Sequence, residues 1–184
     1  MKKLNFLAVT IVSLLGLSSC SNDDNGPVNE EEVITTVITT LSGGGQVVTL
    51  TSRDLDGDGP NAPVITVSGN LIANTTYLGE TSILNELENP AEDITVEVEE
   101  EGTNHQLFYQ IPTSLGAINY TDLDSNGTPI GVTFSYTTAE ATSGNITVTL
   151  RHLPNKAGVG VSTGDITNAG GATDFSVTYP LIVQ

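Results

Sequence analysis

At 184 residues the chain is long enough for one domain of ordinary size, and no second core is required. Against 22 aspartates and glutamates stand only 5 lysines and arginines, a net charge of −17 that repels phosphate backbones and argues against nucleic-acid binding. With 1 cysteine and no tryptophan, the chain cannot be a disulfide framework, and its core must rest mostly on Val, Ile and Leu.

In chain order, residues 1–19 read as a secretory leader: Lys2 and Lys3, then the mostly apolar run Leu4 to Leu17, then small residues. The run is too short to span a bilayer comfortably as a mature helix. Leu17-Ser18-Ser19-Cys20 resembles the bacterial lipobox. That resemblance implies cleavage before Cys20 and acyl chains on its thiol, an anchor of roughly 0.8 kcal/mol per buried methylene. The folded part then has no thiolate ligand and no cysteine nucleophile. Ser21 after the cysteine implies outer-membrane delivery. Ser21 to Asp24 resembles the acidic tag of surface-exported lipoproteins of the Bacteroidota. Residues 20–32, acidic and broken by Gly26 and Pro27, read as a tether.

The single domain is expected over 33–184. Its first signals are "VITTVITTL" (33–41) and "QVVTLTS" (46–52), a hairpin joined by Ser42 to Gly45. The spacing of the first run also fits a helix, but stacked β-branched residues favour a pleated strand. Further strands are expected at 64–71, 75–84, 105–111, 117–121, 131–138, 145–153 and 174–183. The segment 89–102 carries two patterns. Asn89-Pro90, early acids and Gly102 spell a short helix near 90–101, while Ile94, Val96 and Val98 alternate as in a strand. The helix is the preferred reading, although its C-terminal glutamates oppose the helix dipole. In the last strand Phe175, Val177, Tyr179, Leu181 and Val183 share one face, and Pro180 marks an edge or a bulge. Eight or nine short antiparallel strands predict an all-β fold, an immunoglobulin-like sandwich, with a calycin-like barrel as the alternative. The long Gly-rich loop from 154 to 173 suits a contact surface or a mobile excursion.

Two acidic turns echo one another. "DLDGDG" (54–59) aligns with "DLDSNG" (122–127), and each matches the first half of a calcium loop. Asp54, Asp56 and Asp58, and in the second copy Asp122, Asp124 and Asn126, are therefore candidate Ca²⁺ ligands. The twelfth position holds Ile65 in one copy and Thr133 in the other, where a bidentate glutamate belongs, so oxygens must come from elsewhere. The competing reading is that Asp-Gly and Asn-Gly simply make turns. His105 and His152 are the other candidate ligands, for zinc, copper or haem, with Glu99, Glu100 or Glu101 as carboxylate partners. No zinc-enzyme motif joins the two histidines. Gly-x-Ser-x-Gly is absent, which argues against a hydrolase.

"DLDGDGPNAP", "NHQLFYQ", "RHLPNK" and "GDITNAGGATDFSVTYP" resemble small, uncharacterised lipoproteins of the Bacteroidota across the whole mature chain. Some carry the label "type 1 periplasmic binding fold superfamily". That label implies two α/β lobes, which need many amphipathic helices and more residues than this chain has. The resemblance implies no activity. The expectation is a non-enzymatic binding or accessory lipoprotein of the outer membrane, on its periplasmic or surface face, partnering an uptake receptor. The alternative is a metal- or haem-scavenging lipoprotein that uses His105 and His152.

Overall fold

Strand alternation organises everything that follows. The computed structural model describes residues 32–57 and 59–184, all within the compact unit Glu31–Gln184. The leader, Cys20 and most of the tether lie outside the described residues, as does Asp58.

The strands are β1 (Thr36–Gly43), β2 (Gln46–Arg53), β3 (Val64–Val67), β4 (Thr76–Asn85), β5 (Glu92–Asp93), β6 (His105–Gln110), β7 (Gly116–Tyr120), β8 (Thr133–Thr138), β9 (Thr142–His152) and β10 (Ala172–Val183). One helix, α1 (Ile94–Glu100), interrupts them. The larger sheet runs β3-β2-β1-β4-β8-β7, with β5 paired to β4; the smaller runs β10-β9-β6. All these pairings are antiparallel, neither sheet closes on itself, and the sandwich expected from the sequence is present. The barrel is not formed. Among the described residues no helix is long and apolar enough to cross a membrane.

Both sheets turn one face inward. Leu41, Val48, Leu50, Tyr77 and Phe134 come from the larger sheet, and Leu107, Val148, Leu150, Tyr179 and Leu181 from the smaller. Burying each such side chain contributes about 1.5–3 kcal/mol. The chain has 5 tyrosines, and every hydroxyl ties down a distant group while its ring packs. Tyr109 Oη donates to Gly131 O at 2.6 Å, Tyr120 Oη to Leu107 O at 2.7 Å and Tyr136 Oη to Leu115 O at 2.8 Å. Tyr179 Oη donates to Val37 O at 3.4 Å, and Tyr77 Oη accepts from Ile72 N at 2.8 Å. With so few aromatics, each fills core volume and satisfies a backbone polar group.

In segment 89–102 the preferred helix forms, and it takes in Ile94, Val96 and Val98, whose alternation also read as a strand; the only strand there is a short one just before them. Glu92 and Asp93 extend along β4, opposite Asn85 and Leu84. Asp93 then caps α1, accepting from Thr95 N at 3.1 Å. The helix buries Ile94 and Val98, one turn apart, and leaves Val96 exposed. Two-residue β5 is the strand beyond the expected eight or nine. In β10, Tyr179, Leu181 and Val183 are buried on one face as expected; the strand lies at the sheet edge and its register shifts between Thr173 and Phe175.

The 154–173 loop is neither extended nor loose. Two 3₁₀ turns, Val161–Thr163 and Ile166–Asn168, fold it over the outer face of β6. There Val161 and Ala169 bury Phe108 in a second small core, and Gln106 Nε2 donates to Val161 O at 2.9 Å. This cover explains why His105 to Tyr109 are buried on both faces of the strand.

Candidate functional site

The acidic turns come first, because their oxygens were the leading ligand candidates. In 122–127 those oxygens are already engaged. Asp122 accepts from Gly131 N at 2.8 Å through one oxygen and from Thr133 N at 3.0 Å through the other. Asp124 Oδ1 accepts from Asn126 N at 2.8 Å and Thr128 N at 3.0 Å, so Asn126 takes part through its backbone. Asp124 Oδ2 accepts from Thr128 Oγ1 at 2.6 Å and from Lys156 Nζ at 2.8 Å.

Lys156 occupies the place of a cation. Its ammonium also donates to Pro129 O at 2.8 Å and to Gly102 O, so three oxygens from two segments converge on it. The pair is enclosed, with side chains 8% and 1% exposed for Lys156 and Asp124. Burial pushes the Asp124 carboxyl up, but Lys156, Thr128 and the backbone of the turn outweigh it and hold the group at about 2. Burial likewise lowers the Lys156 ammonium, opposed by Asp124 and Asp122. Sequence reasoning missed this lysine as a site residue. The available signal was scarcity: beyond the leader the only lysines and arginines are Arg53, Arg151 and Lys156.

Among the described residues of the 54–59 turn no carboxylate meets a lysine or arginine. Asp54 Oδ1 accepts from Asp56 N at 3.3 Å. Asp56 Oδ2 accepts from Asn61 Nδ2 at 2.7 Å and Asn61 N at 3.3 Å, and the Asn61 side chain is the main cause that lowers this exposed carboxyl. The turn borders a groove of about 370 Å³ between it and β2–β3, lined by Thr51, Arg53, Leu55 and Asn61 among others. Arg53 itself is committed sideways, to Glu86, at 3.0, 3.0 and 2.6 Å. That fork, with Thr36, holds the Glu86 carboxyl at about 2. A second cleft of about 380 Å³ lies on the outer face of the larger sheet between Thr40, Leu78, Glu80 and Thr133.

The histidines, distant in sequence, stand together. Antiparallel pairing of β6 and β9 sets His105 opposite His152, at the end of the same face as Leu107 and Leu150. Their rings stack, centroids 4.8 Å apart and planes 18° from parallel. His105 is 2% exposed; His152 is half-buried. Gly171, with φ +73°, presses against this corner: a Cβ there would sit 2.3 Å from the His152 carbonyl oxygen. The backbone at His152 is thus closely held.

A carboxylate faces His105, and it is Glu32 rather than Glu99, Glu100 or Glu101. Its Oε1 lies 3.8 Å from His105 Nε2. Burial raises the Glu32 carboxyl to about 7, helped by the negative charges of Glu97, Asp174, Glu101 and Glu92. Burial, then His152, lowers the His105 imidazole, partly opposed by Glu101. Glu32 Oε2 and His105 Nδ1 are both buried without a hydrogen-bond partner. Nothing in the run of glutamates 30–32 singled out Glu32, since only the fold brings it to the histidines. Among the described residues no group of three or more His, Cys, Asp or Glu side chains is placed so that it could hold a metal ion.

No family model, no curated protein and no solved structure matches this chain.

Proposed function

We propose that this chain is a lipid-anchored, non-enzymatic binding or accessory module of the outer membrane, attached through acylated Cys20 and working beside an uptake receptor. The observation that carries the reading is the sole cysteine placed directly after Leu17-Ser18-Ser19, behind a charged and apolar leader. The character of the domain supports it. Its hydroxyls pair with one another across strands, as in Thr76–Thr137 at 2.9 Å, Thr147–Thr178 at 2.8 Å and Thr149–Ser176 at 2.9 Å. Its most buried ion pair joins loops. These groups build a rigid scaffold with a negative surface, suited to contact rather than to bond chemistry. Apolar side chains exposed on and beside the 154–173 cover, Leu153 and Val159, supply contact points for a partner.

The test begins at residue 20. Mass spectrometry of the chain from a membrane fraction should show an N-terminal peptide starting at Cys20 with acyl chains attached. Cys20→Ala should leave an uncleaved chain without palmitate label. Crosslinking on whole cells should join the parent chain to an outer-membrane receptor. An unmodified Cys20 in membrane fractions sinks the anchored reading, and measurable turnover by the purified chain sinks the non-enzymatic one.

A further inference from the structure

Among the described residues, the least protected part of the fold is the free edge of the larger sheet at β3, beside the 54–59 turn. We propose that this edge and the groove next to it form a docking site for an extended, basic segment of a partner protein, which joins the sheet as a further strand. The proposal rests on the reading of the chain as a binding module and names the surface that binds.

The edge comes first. β3 ends the larger sheet, and its strand partner among the described residues is β2 alone. Ser68 N donates to Thr49 O at 2.9 Å, and by the alternation of antiparallel pairing the backbone groups of Thr66 and Val64 also face β2. Those of Ile65 and Val67 therefore point away from the sheet. Val64 is 63% exposed and Ile65 37%. The strand "VITV" carries no charge, proline or bulge, the devices that usually blunt an edge. The other edges differ. β10 carries Asp174, Pro180 and a register shift. In β6, Leu107 N already donates to Ile130 O at 2.7 Å. β7 exposes only Ala117 and Asn119.

The groove then selects the guest. Val64 and Thr66 lie opposite Arg53 and Thr51, so the four share one face of the sheet, and that face is one side of the groove of about 370 Å³. Leu55, Ala62, Asp54 and Asp56 line it from the turn. A strand laid along β3 places every second side chain on this same face. Apolar side chains there meet Val64 and Leu55, and cationic ones meet Asp54 and Asp56. Arg53 does not neutralise those carboxylates, because its guanidinium is held by Glu86. Charge complementarity therefore picks a segment that alternates lysine or arginine with apolar residues. A second copy of this chain is a poorer occupant, since each copy carries a net charge of −17 and repels the other.

The experiment titrates the full chain, in neutral detergent, into a fluorescent peptide of alternating lysine and valine, about eight residues long, and follows anisotropy. Binding should saturate at one peptide per chain. A glutamate–valine counterpart should bind at least about tenfold more weakly. The lysine–valine peptide methylated at every backbone nitrogen keeps its charge and loses its strand donors, and it too should bind about tenfold more weakly. Ile65→Pro removes an outward N–H and spares the β2–β3 bonds, so it should weaken binding while keeping the parent circular dichroism. Asp54→Asn combined with Asp56→Asn should weaken binding and reduce its salt dependence. Glu80→Gln, in the second cleft, should change nothing. The proposal is overturned if the lysine–valine peptide does not bind, if its methylated form binds equally well (charge attraction alone), or if a folded Ile65→Pro chain binds unchanged. A dimer in sedimentation that Ile65→Pro dissolves would also overturn it, by making a second copy the occupant. Should Ile65→Pro fail to fold, the methylated peptide still decides. A failed titration leaves acylation at Cys20 and receptor crosslinking untouched, so the two readings fall separately.

Discussion

Two turns of this molecule begin with the same residues, Asp-Leu-Asp, and end differently. In 122–127 the carboxylates are enclosed: Asp122 clamps the backbone entering β8, and Asp124 meets Lys156 across the domain. In the 54–59 turn Asp56 closes only a local loop with Asn61 and remains in solvent. The motif alone therefore specifies an oxygen-rich bend. A cation from another segment, here the Lys156 ammonium, turns one bend into a structural joint. An exposed carboxylate bound to a neighbouring amide contributes little, because water serves it nearly as well.

The largest expected effect comes from removing the lysine. Lys156→Met leaves Asp124 buried and uncompensated and also frees the carbonyls of Gly102 and Pro129. The cost should be about 3–5 kcal/mol in urea unfolding. A loss under about 1 kcal/mol would place this pair with ordinary surface bridges and erase the contrast between the turns.

Next in size is the acid limb of stability. The Asp124 carboxyl is held at about 2 when folded, below its ordinary 3.8. A depressed carboxyl contributes stability that is fully present above the unfolded value. That contribution disappears as pH falls from about 3.8 through about 2. Asp124→Asn should flatten this part of the unfolding-against-pH curve, whereas Asp56→Asn should leave its shape visibly unchanged. Equal flattening by the two variants would show that the second turn is not special.

The smallest effect concerns calcium. Millimolar calcium should leave the melting midpoint insensitive to 122–127, since Lys156 holds that turn: parent and Asp124→Asn chains should shift alike. Any rise in midpoint should vanish in Asp56→Ala, because Asp56 stays exposed in its turn. A calcium response that required Asp124 would mean the ion displaces the lysine.

Much of the scaffold was legible, residue by residue. Runs such as "QVVTLTS" announce strands because β-branched side chains fit a pleated surface, and their alternation assigns Val48 and Leu50 to the core. The face of β10 and its place at an edge followed from period-two spacing and Pro180. Other features were hidden for identifiable reasons. β5 is only two residues long and exists because β4 offers it a partner. Val161, Ala169 and Ile166 are scattered among glycines and polar residues, and become a small core only when Phe108 lies beneath them. The unbroken apolar run Leu107-Phe108-Tyr109 was a faint signal that something covers the outer face of β6.

The candidate sites divide along the same line. The carboxylates of both turns and the two histidines could be named from residue type alone, because donor chemistry is local. Their partners could not. Lys156 for Asp124, and Glu32 for His105, are separated in sequence from the groups they face, and only chain crossing brings them together.

By itself, the amino-acid order determined an acidic, antiparallel all-β chain and the inward face of its last strand, because branched side chains and period-two spacing act within a few residues; that the sheets stack and do not close into a barrel was decided by the tertiary structure. The tertiary structure alone decided that His105 stacks on His152 and that one acidic turn is neutralised from within. Both depend on strand register, and a shift of one residue between β6 and β9 would put the two imidazoles on opposite faces of the sheet.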